Sequence, residues 1–183
     1  GIAGRIKEEL VQQFNLHTIV RLPEGVFAPY TDIPANLIFF DRSGPTQDIW
    51  YYQMPPPEGR KKYTKTKAMQ FSEFSDCLAW WNKREENDFA WKIPFADKLD
   101  KATKQAKPHW DKAIKAKRDG DKAEQLFKDL EKSLAIATKD GTDQVTTLKA
   151  KLKLQKKKVT EWREKQKAAQ TEGDRIYWPV FNL

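Results

Sequence analysis

Two short stretches carry the side chains best suited to recognition. In "EGVFAPYTDIPANLIFF", residues 24–40, Phe27, Tyr30 and Asp32 precede one of the most apolar runs of the chain. Aromatic rings that follow a strand can simply fold back onto the edge of a sheet, and the spacing alone favours that interpretation. The alternative is that the rings are displayed for recognition.

The second stretch is strongly basic. "PPPEGRKKYTKTK" places three prolines before five basic residues in eight positions, which predicts an exposed loop. Its cations could contact phosphates, although a Lys-rich loop often has no specific partner. The candidates for phosphate contact are Arg60, Lys61, Lys62, Lys65 and Lys67.

Other recognisable chemistry is missing from the sequence. There is no Gly-rich phosphate loop, no Ser/His/Asp pattern and no metal-ligand motif. The single cysteine, Cys77, lies among apolar residues and is expected to be buried, and a structural role is expected for both His17 and His109. As written, the chain lacks a complete active site.

The elements that must position these stretches are a helix, three strands and a covering helix. Apolar spacing predicts a first helix in "GRIKEELVQQFN" and strands in "LHTIVRLP", "ANLIFFD" and "DIWYYQM". The continuous apolarity of the strands favours a sheet covered on both faces by helices. "SEFSDCLAWWNKREEN" predicts a helix with Ser72 as N-cap and with Trp80 and Trp81 in the core.

Beyond Pro94 the chain becomes Lys-rich with heptad-like apolar spacing. "RDGD" and "KDGTD" predict two breaks between antiparallel helices, and Pro108 either starts the first helix or lies within a longer one. The expected inward positions are Phe127, Leu130, Leu134 and Ala137 in the middle helix, and Val145, Leu148, Leu152, Gln155, Val159 and Trp162 in the last.

The net charge of +8 resides almost entirely in this segment. Residues 97–171 hold 21 basic and 12 acidic side chains, and the rest of the chain sums to about −1. Such a segment can meet nucleic acid, an acidic partner or anionic lipid, or can simply be a solvated helix surface. A scaffold or docking arm is the favoured interpretation over direct DNA contact.

A longer resemblance supplies a family. The first stretch that carries it is "RIKEELVQQFNLHTIVRLPEGVFAPYTDIPANLIFFDRSGPTQDIWYY". This stretch resembles the C-terminal part of the methyltransferase domain in the modification subunit of type I restriction-modification systems. These subunits are γ-class adenine-N6 DNA methyltransferases. "KAMQFSEFSDCLAWWNKREENDFAWKI" and "GDRIYWPVFNL" resemble the stretches that follow there. The resemblance covers residues 1–95 and 173–183, and the helical segment between looks like a variable insertion.

The resemblance implies an α/β fold, namely the C-terminal fragment of a Rossmann-like methyltransferase sheet followed by an antiparallel, coiled-coil-like helical arm. The expected boundaries are residues 1–95 for the methyltransferase part, 96–172 for the Lys-rich arm and 173–183 for a return segment. The sequence begins without Met, apparently within a helix, and ends in an apolar run. We therefore expect it to be a segment of a longer protein.

The resemblance also implies a reaction that this segment cannot perform alone. The intact subunit would transfer methyl from S-adenosylmethionine to adenine N6 in DNA, together with a specificity subunit and a restriction subunit. The family's glycine motif for the cofactor and its Asn-Pro-Pro-aromatic catalytic motif lie upstream, so no catalytic or cofactor-binding residue is expected here.

The site that the resemblance implies is one wall of the pocket for an adenine extruded from the duplex. Phe27 is the candidate for stacking on that base and Tyr30 is the second candidate, while Thr31, Asp32 and Pro34 shape the loop. The alternative function is a non-catalytic nucleic-acid-binding or scaffold module with a basic helical hairpin.

The expected compartment is the cytoplasm. No apolar run reaches the length of a membrane span and no signal peptide opens the sequence, so no membrane partner is expected. A fragment of an open sheet also exposes an unpaired strand edge, through which copies of the chain could associate.

Overall fold

The computed structural model describes residues 2–183 and divides into two compact units, residues 1–99 and 100–183. The first unit contains helix α1 (Ile2–Gln13), strands β1 (Asn15–Arg21), β2 (Asn36–Asp41) and β3 (Asp48–Gln53), a 3-10 turn (Phe71–Phe74), helix α2 (Ser75–Asn82) and strand β4 (Ala90–Pro94). Helix α3 (Phe95–Lys139) begins in the first unit. The second unit continues it and adds helix α4 (Gln144–Tyr177) and a final 3-10 turn (Trp178–Phe181).

The four strands form one mixed sheet in the order β2-β1-β3-β4. The central strands β1 and β3 are parallel, and each edge strand is antiparallel to its neighbour. The three predicted strands are confirmed. Strand β4 was not predicted; it pairs with β3, where Trp91 stacks on Tyr51 with ring centroids 5.5 Å apart.

The core of this unit lies between the sheet and α2. Val20 and Tyr52 from the central strands pack in one buried cluster with Cys77 and Trp80 from α2, while Trp81 packs against the cluster from its margin. The predicted burial of Cys77 and the core position of the two tryptophans are confirmed. Shielding these large apolar side chains from water is what holds α2 on the sheet.

The predicted extent and cap of α2 were wrong. The helix ends at Asn82 rather than near Asn87, and its first turn is the 3-10 turn. The cap is a reciprocal arrangement in which Gln70 and Glu73 satisfy each other's backbone amides, so Ser72 lies inside the turn instead of preceding it.

Strand β2 differs from the expectation that the strands are covered on both faces. All six of its residues are exposed, including the large apolar side chains Leu37, Ile38, Phe39 and Phe40. Its outer edge also lacks a partner strand among residues 2–183. The sheet therefore presents an apolar edge strand, the kind of edge that normally requires cover.

In the second unit α3 and α4 pack antiparallel, as predicted. Trp110 Nε1 donates to Asp174 Oδ1 at 3.0 Å near one end, and Gln155 Nε2 donates to the carbonyl of Ala123 at 2.8 Å in the middle. The residues expected to face inward from the heptad spacing are all partly buried or buried, and Ala137 and Gln155 are the two that are buried.

One of the two predicted helix breaks is wrong. The chain turns at "KDGTD", where Gly141 adopts a φ of 61°, but α3 runs unbroken through "RDGD". Gly120 packs there against Trp162, so the glycine serves helix contact rather than helix termination. Pro108 lies inside α3, which excludes its alternative role as a helix start.

Among residues 2–183, no helix is both long enough and apolar enough to cross a membrane.

Candidate nucleic-acid interface

The two stretches singled out in the sequence leave neighbouring parallel strands at the same rim. Residues 22–35 follow β1 and residues 54–70 follow β3, and these strands are paired in parallel. We call residues 22–35 the aromatic loop and residues 54–70 the basic loop. In open α/β sheets, the carboxyl ends of parallel strands are the usual place for ligands.

Specific contacts join the two loops into one surface. The backbone amide of Tyr63 donates to the carbonyl of Glu24 at 3.0 Å, and Lys62 Nζ lies 2.5 Å from Asp32 Oδ2. Gly25 has a φ of +76°, and a Cβ at this position would collide with the carbonyl of Tyr63. Only glycine allows the loops to approach this closely.

Tyr63 anchors the basic loop, and the sequence analysis did not identify it. Its side chain is only 2% exposed, and its hydroxyl donates to Glu73 Oε1 at 2.6 Å. Burial, together with this hydrogen bond, raises the pKa of Tyr63 to about 12. The amide of Gln70 donates to the other carboxylate oxygen at 2.6 Å, which is the main reason that the pKa of Glu73 is lowered. The only available signal was a lone aromatic residue among lysines.

The two candidate stacking rings face solvent to different degrees. Tyr30 is 94% exposed and Phe27 is 50% exposed. Tyr30 therefore does not fold back onto the sheet edge, the interpretation that spacing alone favoured. The amide of Tyr30 donates to the carbonyl of Phe27 at 3.0 Å, and Thr31 Oγ1 accepts from the amide of Ile33 at 3.1 Å. Local turns thus shape the loop that carries both rings.

The charged residues of this surface divide into engaged and free groups. Asp32 and Lys62 pair with each other, and Arg60 donates to the carbonyl of Lys67 at 3.1 Å while lying 5.5 Å from the centre of the Tyr63 ring. The ammonium groups of Lys61, Lys65 and Lys67 are exposed and have no acidic partner among residues 2–183. The three lysines are therefore the cations most available to a phosphate.

A cleft of about 280 Å³ opens beside the two loops. Arg21 and Gln53, the last residues of β1 and β3, lie on its wall with Glu24 and Lys61 from the loops. Its lining is mixed in charge, since one carboxylate faces two cations. The cleft extends the polar surface from the loops back to the strand ends.

Comparison with known proteins places this geometry in a family. A family model described as N-6 DNA Methylase matches residues 1–118. The type I restriction enzyme EcoEI methylase subunit of Escherichia coli is 47% identical over an alignment of 104 residues, which covers 53% of this chain and 21% of that protein.

Two solved structures give the same result. The modification subunit of a putative type I restriction enzyme from Vibrio vulnificus YJ016 is 68% identical, with a TM-score of 0.52 over 54% of this chain and 20% of that one. A chain from a study of complex assembly and conformational transition of the type I R-M system is 38% identical, with a TM-score of 0.50 over 53% of this chain and 22% of its own. The chain spans about a fifth of the length of these relatives, and it belongs to the N-6 DNA methylase family.

Proposed function

We propose that this chain supplies one wall of the adenine pocket in a type I modification subunit, which transfers methyl from S-adenosylmethionine to adenine N6 in DNA. One observation carries the proposal. The aromatic loop presents Phe27 and Tyr30 to solvent while it is fixed to the basic loop at the carboxyl rim of the parallel strands.

This arrangement suits a base that has left the duplex. Adenine inside a duplex keeps its N6 amino group in a base pair, so an enzyme must extrude the base and compensate for the lost stacking. The face of Phe27 can stack on the extruded purine, and the hydroxyl of Tyr30 can reach a base edge or a phosphate. Stacking of one base on an aromatic ring contributes about 1–3 kcal/mol.

The free lysines of the basic loop would hold the DNA backbone. Lys61, Lys65 and Lys67 can each displace a condensed counterion from a phosphate, which makes binding weaker as salt rises. The pairing of Asp32 with Lys62 offsets part of the repulsion that a lone carboxylate would exert on the same phosphates. Asp32 thus serves the shape of the loop rather than contact with the base.

We assign no cofactor contact to this chain. A glycine with left-handed φ at the end of a strand can let a ligand approach the backbone, but the space at Gly25 is filled by the carbonyl of Tyr63. S-adenosylmethionine would supply the methyl group from a site in the rest of the subunit. Alone, the chain neither binds this cofactor nor methylates DNA.

The remaining partners are protein subunits. The helical hairpin of α3 and α4, with its excess of basic residues, would dock on the helical spacer of a specificity subunit, and a restriction subunit would join the complex for cleavage. In the isolated chain, the uncovered edge of β2 could pair with a second copy.

The test uses the intact modification subunit with its specificity subunit, unmodified DNA and S-adenosylmethionine labelled in the methyl group. We expect label in N6-methyladenine, and none when the 183-residue chain replaces the intact subunit. Label in cytosine, or methyl transfer by the chain alone, would contradict the proposal.

The charge distribution favours a second candidate, a non-catalytic nucleic-acid-binding module. Residues 100–183 hold 21 basic and 13 acidic side chains. If this is the function, the chain alone binds duplex DNA with an affinity that falls steeply with salt, and neutralising Lys61, Lys65 and Lys67 leaves that affinity unchanged. The methylase proposal predicts that these three lysines contribute to DNA binding by the intact complex.

A further inference from the structure

A second surface, at the opposite rim of the sheet, carries an unneutralised arginine. The guanidinium of Arg84 lies 4.4 Å from the centre of the Trp81 ring and 5.7 Å from that of Trp80. It is partly buried and has no carboxylate partner among residues 2–183. Burial lowers the pKa of Arg84, the direction expected for a cation that has lost water without gaining an anion.

The acids of the same rim are already engaged. Asp41 accepts from the amide of Ser43 at 2.8 Å and from Asn15 at 3.3 Å, and Asp48 lies 3.5 Å from Lys92 Nζ. Asp48 and Arg84 line a cleft of about 480 Å³ together with His17 and Trp50. The guanidinium therefore borders an open cleft whose one carboxylate, that of Asp48, already pairs with Lys92.

An apolar groove adjoins Arg84 through Trp81. The groove encloses about 190 Å³ between β2 and α2, and Leu37, Phe39, Leu78 and Trp81 line it. Phe39 meets Trp81 with ring centroids 4.8 Å apart, and the guanidinium lies over the same indole. The result is a continuous surface in which an apolar groove ends at an unpaired positive charge.

We propose that this Trp81–Arg84 surface docks a segment of the methylase subunit outside these 183 residues, with an apolar side chain in the groove and a carboxylate paired to Arg84. The proposal rests on the proposed function, because it requires the chain to be part of a larger subunit. The relatives are roughly two and a half times as long as this chain, and the groove borders β2, whose six residues are all exposed and whose outer edge has no partner strand among residues 2–183.

Protein fits this surface better than DNA does. The groove has an almost entirely apolar lining, whereas phosphate contacts require polar donors. Asp41 lies on the same rim without a cationic partner among residues 2–183 and would repel a polyanion, but a single carboxylate can still pair with the planar donor face of arginine. Tryptophan and arginine are also the residues most enriched at the centres of protein interfaces.

The test compares Arg84→Met in the 183-residue chain and in the intact subunit. Methionine keeps an unbranched stem over Trp81 but removes the charge. In the chain alone we expect an unchanged or higher melting temperature, because no carboxylate partner is lost, the methionine stem keeps the contact with Trp81, and a partly buried cation is removed. In the intact subunit we expect a fall of at least about 4 °C, because a buried carboxylate would lose its cation.

Lys83→Met is the control, since Lys83 is exposed and pairs only with Glu85, and it should change neither melting temperature. Leu78→Ser is a second variant that does not depend on arginine. Leu78 is half-exposed, so this change should be tolerated in the chain and should destabilise the intact subunit.

An equal effect of Arg84→Met in both contexts would overturn the proposal, since it would make the arginine a packing residue only. Unchanged stability with weaker DNA binding, and a salt dependence reduced by about one phosphate contact, would overturn it in favour of DNA. The outcome of these stability measurements can be distinguished from failure of the proposed function. If the wild-type subunit forms no N6-methyladenine, the proposed function fails while the comparison of melting temperatures still decides the docking.

Discussion

The two units of this protein reach their structures by different means. Residues 1–99 hold 13 basic and 13 acidic side chains, and their candidate site depends on a few specific contacts, chiefly those of Gly25 and Tyr63. Residues 100–183 carry all of the net charge, and their two helices depend on a repeated apolar spacing. A few contacts between distant residues can fix a loop, whereas a repeat spreads stability over many positions.

This difference predicts that single substitutions damage the two units unequally. A single substitution in the loop surface of the first unit should lower stability strongly. In the hairpin, a single substitution should do so only where a small residue packs against a large side chain of the other helix. Substitutions in both units test that contrast.

Gly25→Ala should be the most damaging change. The substitution places a Cβ against the carbonyl of Tyr63 and forces alanine into a left-handed conformation, so we expect a loss of about 3 kcal/mol in the free energy of unfolding. Gly59→Ala is the matched control, because Gly59 has a φ of +65° with open space around it and should lose only about 1 kcal/mol. Equal losses in urea denaturation would show that the contact between the loops is unimportant.

Gly173→Ala should be the corresponding weak point of the hairpin. A Cβ there would lie 2.6 Å from the Trp110 indole, whose Nε1 donates to Asp174, so we expect a loss of about 1–3 kcal/mol. Gly120→Ala should have the opposite sign, because its Cβ would meet Trp162 at 3.4 Å and alanine favours the helix by about 0.5–1 kcal/mol. Thermal unfolding followed by circular dichroism measures both, and stabilisation by Gly173→Ala would contradict the packing.

Tyr63→Phe should cost about 1–2 kcal/mol, because Glu73 loses a hydrogen bond in a partly buried place. The pKa of Tyr63 is raised to about 12, so its contribution is fully present below pH 10 and is lost as pH rises towards 12. The wild-type protein should therefore lose stability over this range more steeply than the variant. Identical pH profiles from denaturation would show that the phenol is not held as described.

Asp32→Asn should have the smallest effect on stability. Both groups of the Asp32–Lys62 pair are substantially exposed, so the change in the free energy of unfolding should lie within the error of the measurement. Binding of DNA by the intact complex should become tighter, because Lys62 is released and a negative charge is removed. A filter-binding titration at two salt concentrations measures this effect, and weaker binding would indicate that the Asp32 carboxylate contacts the base.

The pattern of the sequence predicted the hairpin better than the site. Heptad spacing identified the inward residues of α4, including the polar Gln155, because each helix position depends mainly on neighbours three or four residues away. Gly120 misled the prediction, since glycine can serve either a turn or close helix packing. Strand β4 escaped notice because its pairing with β3 joins segments about 40 residues apart.

The candidate site was predicted as two unrelated loops. The parallel pairing of β1 and β3 brings them to one rim, and Tyr63 fixes them there. Neither relation can be found from local spacing, because both join residues more than 30 positions apart. The exposure of Tyr30 was likewise decided by turns within the loop, against the simpler expectation from spacing.

Stacking of the Phe27 ring on an extruded adenine can be tested with a series of substitutions that change the size and flatness of this side chain. The measurement is kcat/KM for adenine methylation by the intact subunit with its specificity subunit, using Phe27→Trp, Phe27→Leu and Phe27→Ala. We expect the Trp variant to remain close to the wild type and the Ala variant to lose about 5- to 150-fold, as 1–3 kcal/mol of stacking implies. The melting temperatures should stay unchanged, since Phe27 is half-exposed. Methylation by the Ala variant at the wild-type rate would contradict the account.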